Sequence, residues 1–195
     1  MKKYELTAEF IEKWGKKLFR IKALISFGNV EAGELGGYVE KEDNLAQDDN
    51  AWVHGNARVF GNARVCDDAR VCDDAEVCDD AEVFGNARVY GDARVCGNAR
   101  VYGNARVYGD ADYLLIGRIG SRFSFTTFFK NKDKGITVSC GCFLGTIAEF
   151  RAKVSDTHGN NKHAKIYNLA ADMAELQILG EEHFENLNTN KSEPF

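Results

Sequence analysis

The sequence predicts a mainly β fold in which residues 50–112 form a parallel β-helix of six-residue units. Valine recurs every six residues from Val53 to Val107, and alanine stands two positions before each of these valines. Residues two apart share one face of a strand, so each Ala–Val pair points inward and the Arg or Glu between them points outward. Gly, Asn and Asp follow each strand and predict the corners, because these residues tolerate left-handed backbone.

The repeated unit is [Asn/Asp]-Ala-[Arg/Glu]-Val-[Phe/Cys/Tyr]-[Gly/Asp], over about a third of the chain. It resembles the hexapeptide repeat of left-handed parallel β-helices, in which three units close one triangular coil. The left-handed sense is implied by this resemblance. If neighbouring coils pair like neighbouring strands, each coil rises ~4.8 Å.

Stacking each unit on the third unit after it predicts three columns of outward side chains. Two columns alternate in charge: Arg58, Glu76, Arg94 and Asp112 in one, and Arg64, Glu82 and Arg100 in the other. Like charges on neighbouring coils would repel, so this alternation supports three units per coil.

The third column contains no acid. It consists of Trp52, Arg70, Arg88 and Arg106, and the row beside it consists of His54, Cys72, Tyr90 and Tyr108. One hypothesis is a solvated ladder of arginine planes on tyrosine rings, partly neutralised by Asp74, Asp92 and Asp110 in the next corner. The other is a docking face for an anionic partner, with the following candidate binding residues: Trp52, His54, Arg70, Arg88, Arg106, Tyr90 and Tyr108.

Residues 1–49 are expected to cap the first coil, because a bare β-helix would expose unpaired strand edges. A short helix is predicted over Thr7–Trp14 and a strand near Lys17–Phe27. Leu45 stands at the alanine position and indicates an irregular repeat before the regular ones.

Residues 113–180 are expected to form a small α+β domain. Alternating apolar residues predict strands around Phe123–Phe129 and Ile136–Cys140, joined by a turn at Asn131–Gly135. Thr146 and Glu149 predict a capping box at the start of a helix that ends at Gly159. A second helix is predicted from Lys162 to Leu179, and residues 181–195 are expected to be a loose tail.

One run in this domain, from Cys140 to Phe150 followed by Thr157-His158-Gly159, resembles a small domain common in phage-encoded proteins. The resemblance implies a phage or prophage origin and no activity. Cys140, Cys142, His158 and His163 could bind zinc, but Cys140 continues the inward alternation of its strand and fits a core position better. No metal site is assigned.

The hexapeptide fold also occurs in acyltransferases, which use a histidine, often on a loop extruded between coils, and hold coenzyme A between subunits. Here no loop interrupts the ten units, and His54 is the only histidine near them. Fold alone does not supply function, so no catalytic residue and no cofactor are predicted. An acyltransferase is kept as an alternative.

The formal net charge of −5 argues against a strongly basic nucleic-acid binder. The first residues lack the apolar run of a signal peptide, and no stretch has membrane-spanning length, which favours a cytoplasmic location. Four of the six cysteines share one repeat position, and reduced thiols are expected. Cys78 and Cys96 would be neighbours on adjacent coils and are interpreted as two outward apolar residues, open to cover by a partner subunit or a terminal segment.

The sequence therefore favours a non-catalytic binding or structural scaffold that presents its basic face or its C-terminal domain to a host protein or anionic ligand. Such a protein could act in counter-defence, as an inhibitor or a sponge. A particle-associated structural protein is a further alternative. A homotrimer is expected by family analogy, with the outward Phe, Cys and Tyr rows as apolar surface to bury.

Overall fold

The computed structural model describes residues 2–181 and divides the chain into two units, Met1–Asp110 and Ala111–Phe195. The tail expected at residues 181–195 lies, apart from Glu181, outside the described residues. The chain is mainly β, with a β-solenoid of about four turns and two C-terminal helices. Within residues 2–181, no helix has both the length and the apolar composition needed to cross a bilayer.

The β-solenoid consists of two-residue strands that recur every six residues. In the described chain these are β4 (Trp52–Val53), β5 (Arg58–Val59), β6 (Arg64–Val65), β7 (Arg70–Val71), β8 (Glu76–Val77), β9 (Glu82–Val83), β10 (Arg88–Val89), β11 (Arg94–Val95), β12 (Arg100–Val101) and β13 (Arg106–Val107). Strands three units apart pair in parallel, for example β5 with β8, where Val59 aligns with Val77. The alanine and valine of every unit are buried, so the predicted inward face is confirmed.

Three corners have aspartate where the other units have glycine. Asp67, Asp73 and Asp79 adopt φ values of 58, 61 and 60°, in the left-handed region. Each carboxylate accepts a hydrogen bond from the backbone N–H of the glycine one coil further on, as Asp73 does from Gly91 at 3.0 Å. These aspartates are therefore turn residues that also tie neighbouring coils together.

The N-terminal segment is a β-hairpin, so the predicted helix over Thr7–Trp14 is wrong. Strand β1 spans Tyr4–Lys13 and pairs antiparallel with β2, Lys16–Ala23. Trp14 and Gly15 both have positive φ values, 53 and 73°, as a two-residue type I′ hairpin turn requires. Strand β3 (Leu35–Val39) pairs antiparallel with β2 and parallel with β5, and so joins the hairpin to the first parallel ladder.

The first coil is longer than the others, because its corner after Leu45 contains two extra residues. Leu45 pairs with Val65, so it takes the valine place and not the alanine place that the six-residue spacing predicts. Eight positions separate Leu45 from Val53, against six between successive valines. A short 3-10 helix, Glu42–Asn44, precedes Leu45.

Lys3 and Tyr4 close this longer corner from the open end of the solenoid. The Lys3 ammonium donates to the carbonyl oxygens of Asp48 at 2.9 Å and Ala51 at 3.0 Å. The Tyr4 hydroxyl lies 2.8 Å from the carbonyl oxygen of Leu45. Both side chains are buried, and burial lowers the pKa of Lys3 from 10.5 to about 8, against the opposing effect of nearby aspartates. The N-terminus thus satisfies carbonyl groups that lack the regular ladder.

The hairpin also covers one outer row of the solenoid. Leu18 packs with Phe60 and Cys78 in a buried cluster, and Lys13 forms an ion pair with Glu76. Phe60 belongs to the outward Phe, Cys and Tyr rows that were expected to provide apolar surface for a trimer, and it is buried within its own chain.

The second unit is a four-stranded antiparallel sheet with two helices against it. Its strands are β14 (Tyr113–Ile119), β15 (Ser124–Lys130), β16 (Ile136–Cys140) and β17 (Phe143–Thr146), in that order across the sheet. Helix α1 spans Ile147–His158 and begins with the predicted capping box of Thr146 and Glu149. Helix α2 spans Lys162–Leu179, as predicted. Cys140 packs against the core between sheet and helices.

Candidate binding face

The basic column lies on a four-stranded parallel sheet of β4, β7, β10 and β13. The register aligns Trp52 with Arg70, Arg70 with Arg88, and Arg88 with Arg106, which is the predicted column. Because the flanking alanines and valines are buried in the solenoid, the middle residue of each unit must point outward. Neighbouring guanidinium groups therefore start from backbone positions only ~4.8 Å apart.

The other two columns are charge-paired, as predicted. On the first, Glu76 accepts a hydrogen bond from Arg58 at 2.9 Å and lies 3.5 Å from the Nε of Arg94. On the second, Glu82 lies 2.9 Å from the Nε of Arg100. Asp112, the predicted last member of the first column, belongs to the second unit, where it accepts a hydrogen bond from Lys130 at 2.9 Å.

Among the described side chains, no carboxylate lies within 4.0 Å of the arginine nitrogens of the basic column. Arg88 donates to the hydroxyl of Tyr90 at 3.1 Å, and Arg106 donates to the carbonyl oxygen of Asn86 at 3.4 Å. Asp74, which was expected to neutralise part of the basic column, lies 3.9 Å from the Nη2 of Arg58 in a charge-paired column. The described contacts of Arg88 and Arg106 are thus with a hydroxyl and a backbone carbonyl oxygen, neither of which neutralises their charge.

An aromatic row borders the three arginines. The rings of Tyr90 and Tyr108 stack with their centroids 5.1 Å apart and 12° between their planes, and Tyr108 is 56% exposed. Cys72, the preceding member of the row, is half-buried, and burial raises the pKa of its thiol to about 11. Cys72 is therefore protonated at neutral pH and is a poor nucleophile. The arginines and the tyrosines together are called the basic–aromatic face below: Arg70, Arg88, Arg106, Tyr90 and Tyr108.

Two of the predicted binding residues lie at the edge of this face. Trp52 is fully buried beneath the rings of Tyr4 and Phe27, with centroid distances of 6.1 and 5.4 Å, so it offers no surface to a ligand. His54 is half-buried, and its Nδ1 lies 4.0 Å from Glu34. Burial and the charge of Arg70 lower the pKa of His54, which favours the neutral imidazole.

Cys78 and Cys96 form a disulfide, so their interpretation as two unbonded apolar residues with reduced thiols is wrong. Their Cα atoms are 4.7 Å apart, within the range that a disulfide spans. The bond joins neighbouring coils in the row that the N-terminal hairpin covers. Cys66, Cys72, Cys140 and Cys142 are free.

The potential zinc ligands of the second unit do not converge. Within residues 2–181, only Cys78, Asp79 and Cys96 bring three potential ligand atoms within 4.8 Å of one another, and the sulfurs of Cys78 and Cys96 are already bonded to each other.

Sequence reasoning missed Lys3 as a residue that closes the solenoid, because its partners are backbone carbonyls that no motif marks.

A family model described as "YdcK Beta solenoid repeat" matches residues 81–97 and 99–111. The chain contains a β-solenoid repeat. The matched residues include the later coils, with Arg88, Tyr90, Arg106 and Tyr108 of the basic–aromatic face. No curated protein matches the chain.

Proposed function

We propose that the chain is a non-catalytic binding scaffold whose basic–aromatic face binds an acidic protein surface. The observation that carries the proposal is the column of Arg70, Arg88 and Arg106, which has no acid in the position where both other columns have glutamate. Neighbouring like charges at this spacing repel by about 1 kcal/mol even in water. An acidic partner relieves this repulsion, and the tyrosine rings beside the arginines supply rigid area for contact.

The finer features of the scaffold belong to the same proposal. Period six and the pairing of strands three units apart support three hexapeptide units per coil, with the left-handed sense of that family. The resemblance of the C-terminal run supports a phage or prophage origin. A cytoplasmic location in the host and a role in counter-defence by sequestering a host protein are the parts of the proposal that depend on this origin. A homotrimer would have three times the chain mass of 21.7 kDa in light scattering.

The test compares two charge reversals that change the net charge equally. Arg88→Glu alters the basic–aromatic face, whereas Arg64→Glu alters an exposed arginine of a charge-paired column. A fluorescent heptaglutamate peptide serves as the acidic probe, and affinity capture from host lysate then identifies the natural partner. We expect Arg88→Glu to weaken peptide binding roughly tenfold or more, because hydrogen bonds to charged groups contribute about 1.5–3 kcal/mol.

Two results would contradict the proposal. If Arg88→Glu leaves peptide binding intact, the basic–aromatic face is not the binding surface. If Arg64→Glu weakens binding as much as Arg88→Glu, the peptide responds only to net charge.

Calorimetry with coenzyme A tests the acyltransferase alternative. An acyltransferase should bind coenzyme A and give heat of binding.

A further inference from the structure

The second unit contains a cavity of 190 Å³ that does not involve the solenoid. Its walls come from the turn between β14 and β15, the turn between β16 and β17, helix α1 and the side chain of Tyr167 on α2. Phe143, Phe150 and Val154 form an apolar side, while Arg122 and Cys142 line the exposed side. The volume lies below the ~300–1,000 Å³ of pockets for drug-sized ligands, so the cavity suits a smaller molecule.

Tyr167 lines the cavity and packs closely against its neighbours. Its phenol packs so closely against Gly120 that any side chain at that position would overlap with it. The Tyr167 hydroxyl lies 4.0 Å from the sulfur of Cys140, and the ring of His158 stacks against it with centroids 5.7 Å apart. Burial is the main cause and the neighbouring Cys140 the second cause that raise the pKa of Tyr167 to about 12, so the phenol is neutral.

Arg122 places a positive charge at the mouth of the cavity. Its Nη1 atom lies 3.7 Å from the point where a Cβ on Gly141 would be, so the guanidinium reaches across to the turn between β16 and β17. Among the described side chains, no carboxylate pairs with Arg122, and no acid lines the cavity. Lys153, the other cation of the lining, has its own partner in Asp156 at 3.2 Å.

We propose that this cavity binds a small organic anion, which pairs with Arg122 through its charged group and packs its apolar part against Phe143 and Phe150. A cation would be repelled by Arg122, and an inorganic anion would leave the aromatic walls uncovered. An aromatic or branched carboxylate satisfies both the charge and the walls. This site is independent of the basic–aromatic face, so either proposal can fail without the other.

The exposed thiol of Cys142 provides a reporter inside the site. Iodoacetate and iodoacetamide both react with a thiolate, whose sulfur displaces iodide to form a C–S bond while the thiol proton goes to solvent. They differ in charge, so the ratio of their rates at one cysteine reports attraction of an anion and cancels the thiolate fraction. Peptide mapping by mass spectrometry separates Cys142 from Cys66 and Cys72, and fragmentation of the shared peptide at Gly141 distinguishes Cys142 from Cys140.

The experiment compares the folded protein with three variants. We expect the iodoacetate to iodoacetamide rate ratio at Cys142 to exceed that in the urea-unfolded chain by about fivefold, as for a partly exposed ion pair. Arg122→Gln should remove this excess, Arg122→Lys should retain most of it, and Arg118→Gln, with the same charge change outside the cavity, should leave it unchanged. Benzoate should slow iodoacetamide labelling of Cys142, whereas neutral benzamide should not.

The outcomes separate clearly. An equal rate ratio in the wild type and Arg122→Gln overturns the role of Arg122, and equal loss in Arg118→Gln reduces the effect to net charge. Failure of benzoate to protect Cys142 overturns the binding site itself. Circular dichroism checks that each variant is folded. If Arg122→Gln does not fold, Arg122→Lys and the benzoate protection of the wild type still test the site.

Discussion

Glu76 pairs with three cations, and its replacement by glutamine gives a direct test of the charge columns. Its side chain is only 7% exposed and contacts Arg58, Arg94 and Lys13 of the N-terminal hairpin. Glu76→Gln keeps the shape and removes the charge, so three cations lose their shared partner. The substitution therefore affects both the contact between coils and the anchoring of the hairpin.

The expected cost follows from burial. Breaking a buried ion pair by removing one partner costs about 3–5 kcal/mol, and the lower end applies here because Arg94 remains half exposed to water. We expect Glu76→Gln to lower the free energy of unfolding by about 3 kcal/mol. Glu82→Gln is the matched control, because it occupies the same repeat position with a 40% exposed side chain and pairs with Arg100. Its cost should be at most about 1 kcal/mol.

Urea unfolding followed by tryptophan fluorescence measures both variants. The chain has two tryptophans, Trp14 in the hairpin turn and Trp52 in the solenoid, and both belong to the first unit, so the signal reports on that unit. Equal losses for Glu76→Gln and Glu82→Gln would refute the argument from burial.

Two further predictions concern the ends and the coils. Because the folded pKa of Lys3 lies at about 8, below its ordinary 10.5, the unfolded chain binds more protons between these values, and wild-type stability should rise with pH across this window. In Lys3→Met this rise of stability with pH should be missing, which urea unfolding at pH 7.5 to 10.5 would show. Parallel pH profiles of stability in the wild type and Lys3→Met would contradict the prediction. Cys96→Ser should lower the free energy of unfolding by roughly 3 kcal/mol, as expected for a disulfide that closes a loop of about this length. A reducing agent should bring the wild type to the same stability, whereas Cys66→Ser should cost little under either condition, and a Cys96→Ser protein as stable as the oxidised wild type would contradict the prediction.

The solenoid could be predicted because one local pattern and one long-range pattern agree. The valine spacing predicts short strands, and the single glutamates between arginines predict the three-unit register that the sheets have. The hairpin was not predictable in the same way. Phe10, Ile11 and Trp14 have the spacing of a helical stripe, and the turn at Trp14 and Gly15 begins with a residue that rarely adopts positive φ.

The candidate face was predictable in part. The alignment of Arg70 with Arg88 follows from counting along the repeat, but the burial of Trp52 does not, because Tyr4 and Phe27 that cover it come from distant, irregular segments. The disulfide could not be predicted without the distance between Cys78 and Cys96, because adjacent outward positions are compatible with two packed thiols as well as with a bond. The cavity beside Arg122 is built from three segments whose proximity no repeat indicates.

The pairing of strands three units apart gives the solenoid a structural reading frame. Duplication or loss of one whole coil returns every later side chain to its original column. Loss of a single six-residue unit after Glu82 moves every later side chain to a different column. Arg106 would then stack where Arg100 now lies, above Glu82. The chain can therefore change its length freely only in whole coils, and any other step exchanges the basic column for a paired one.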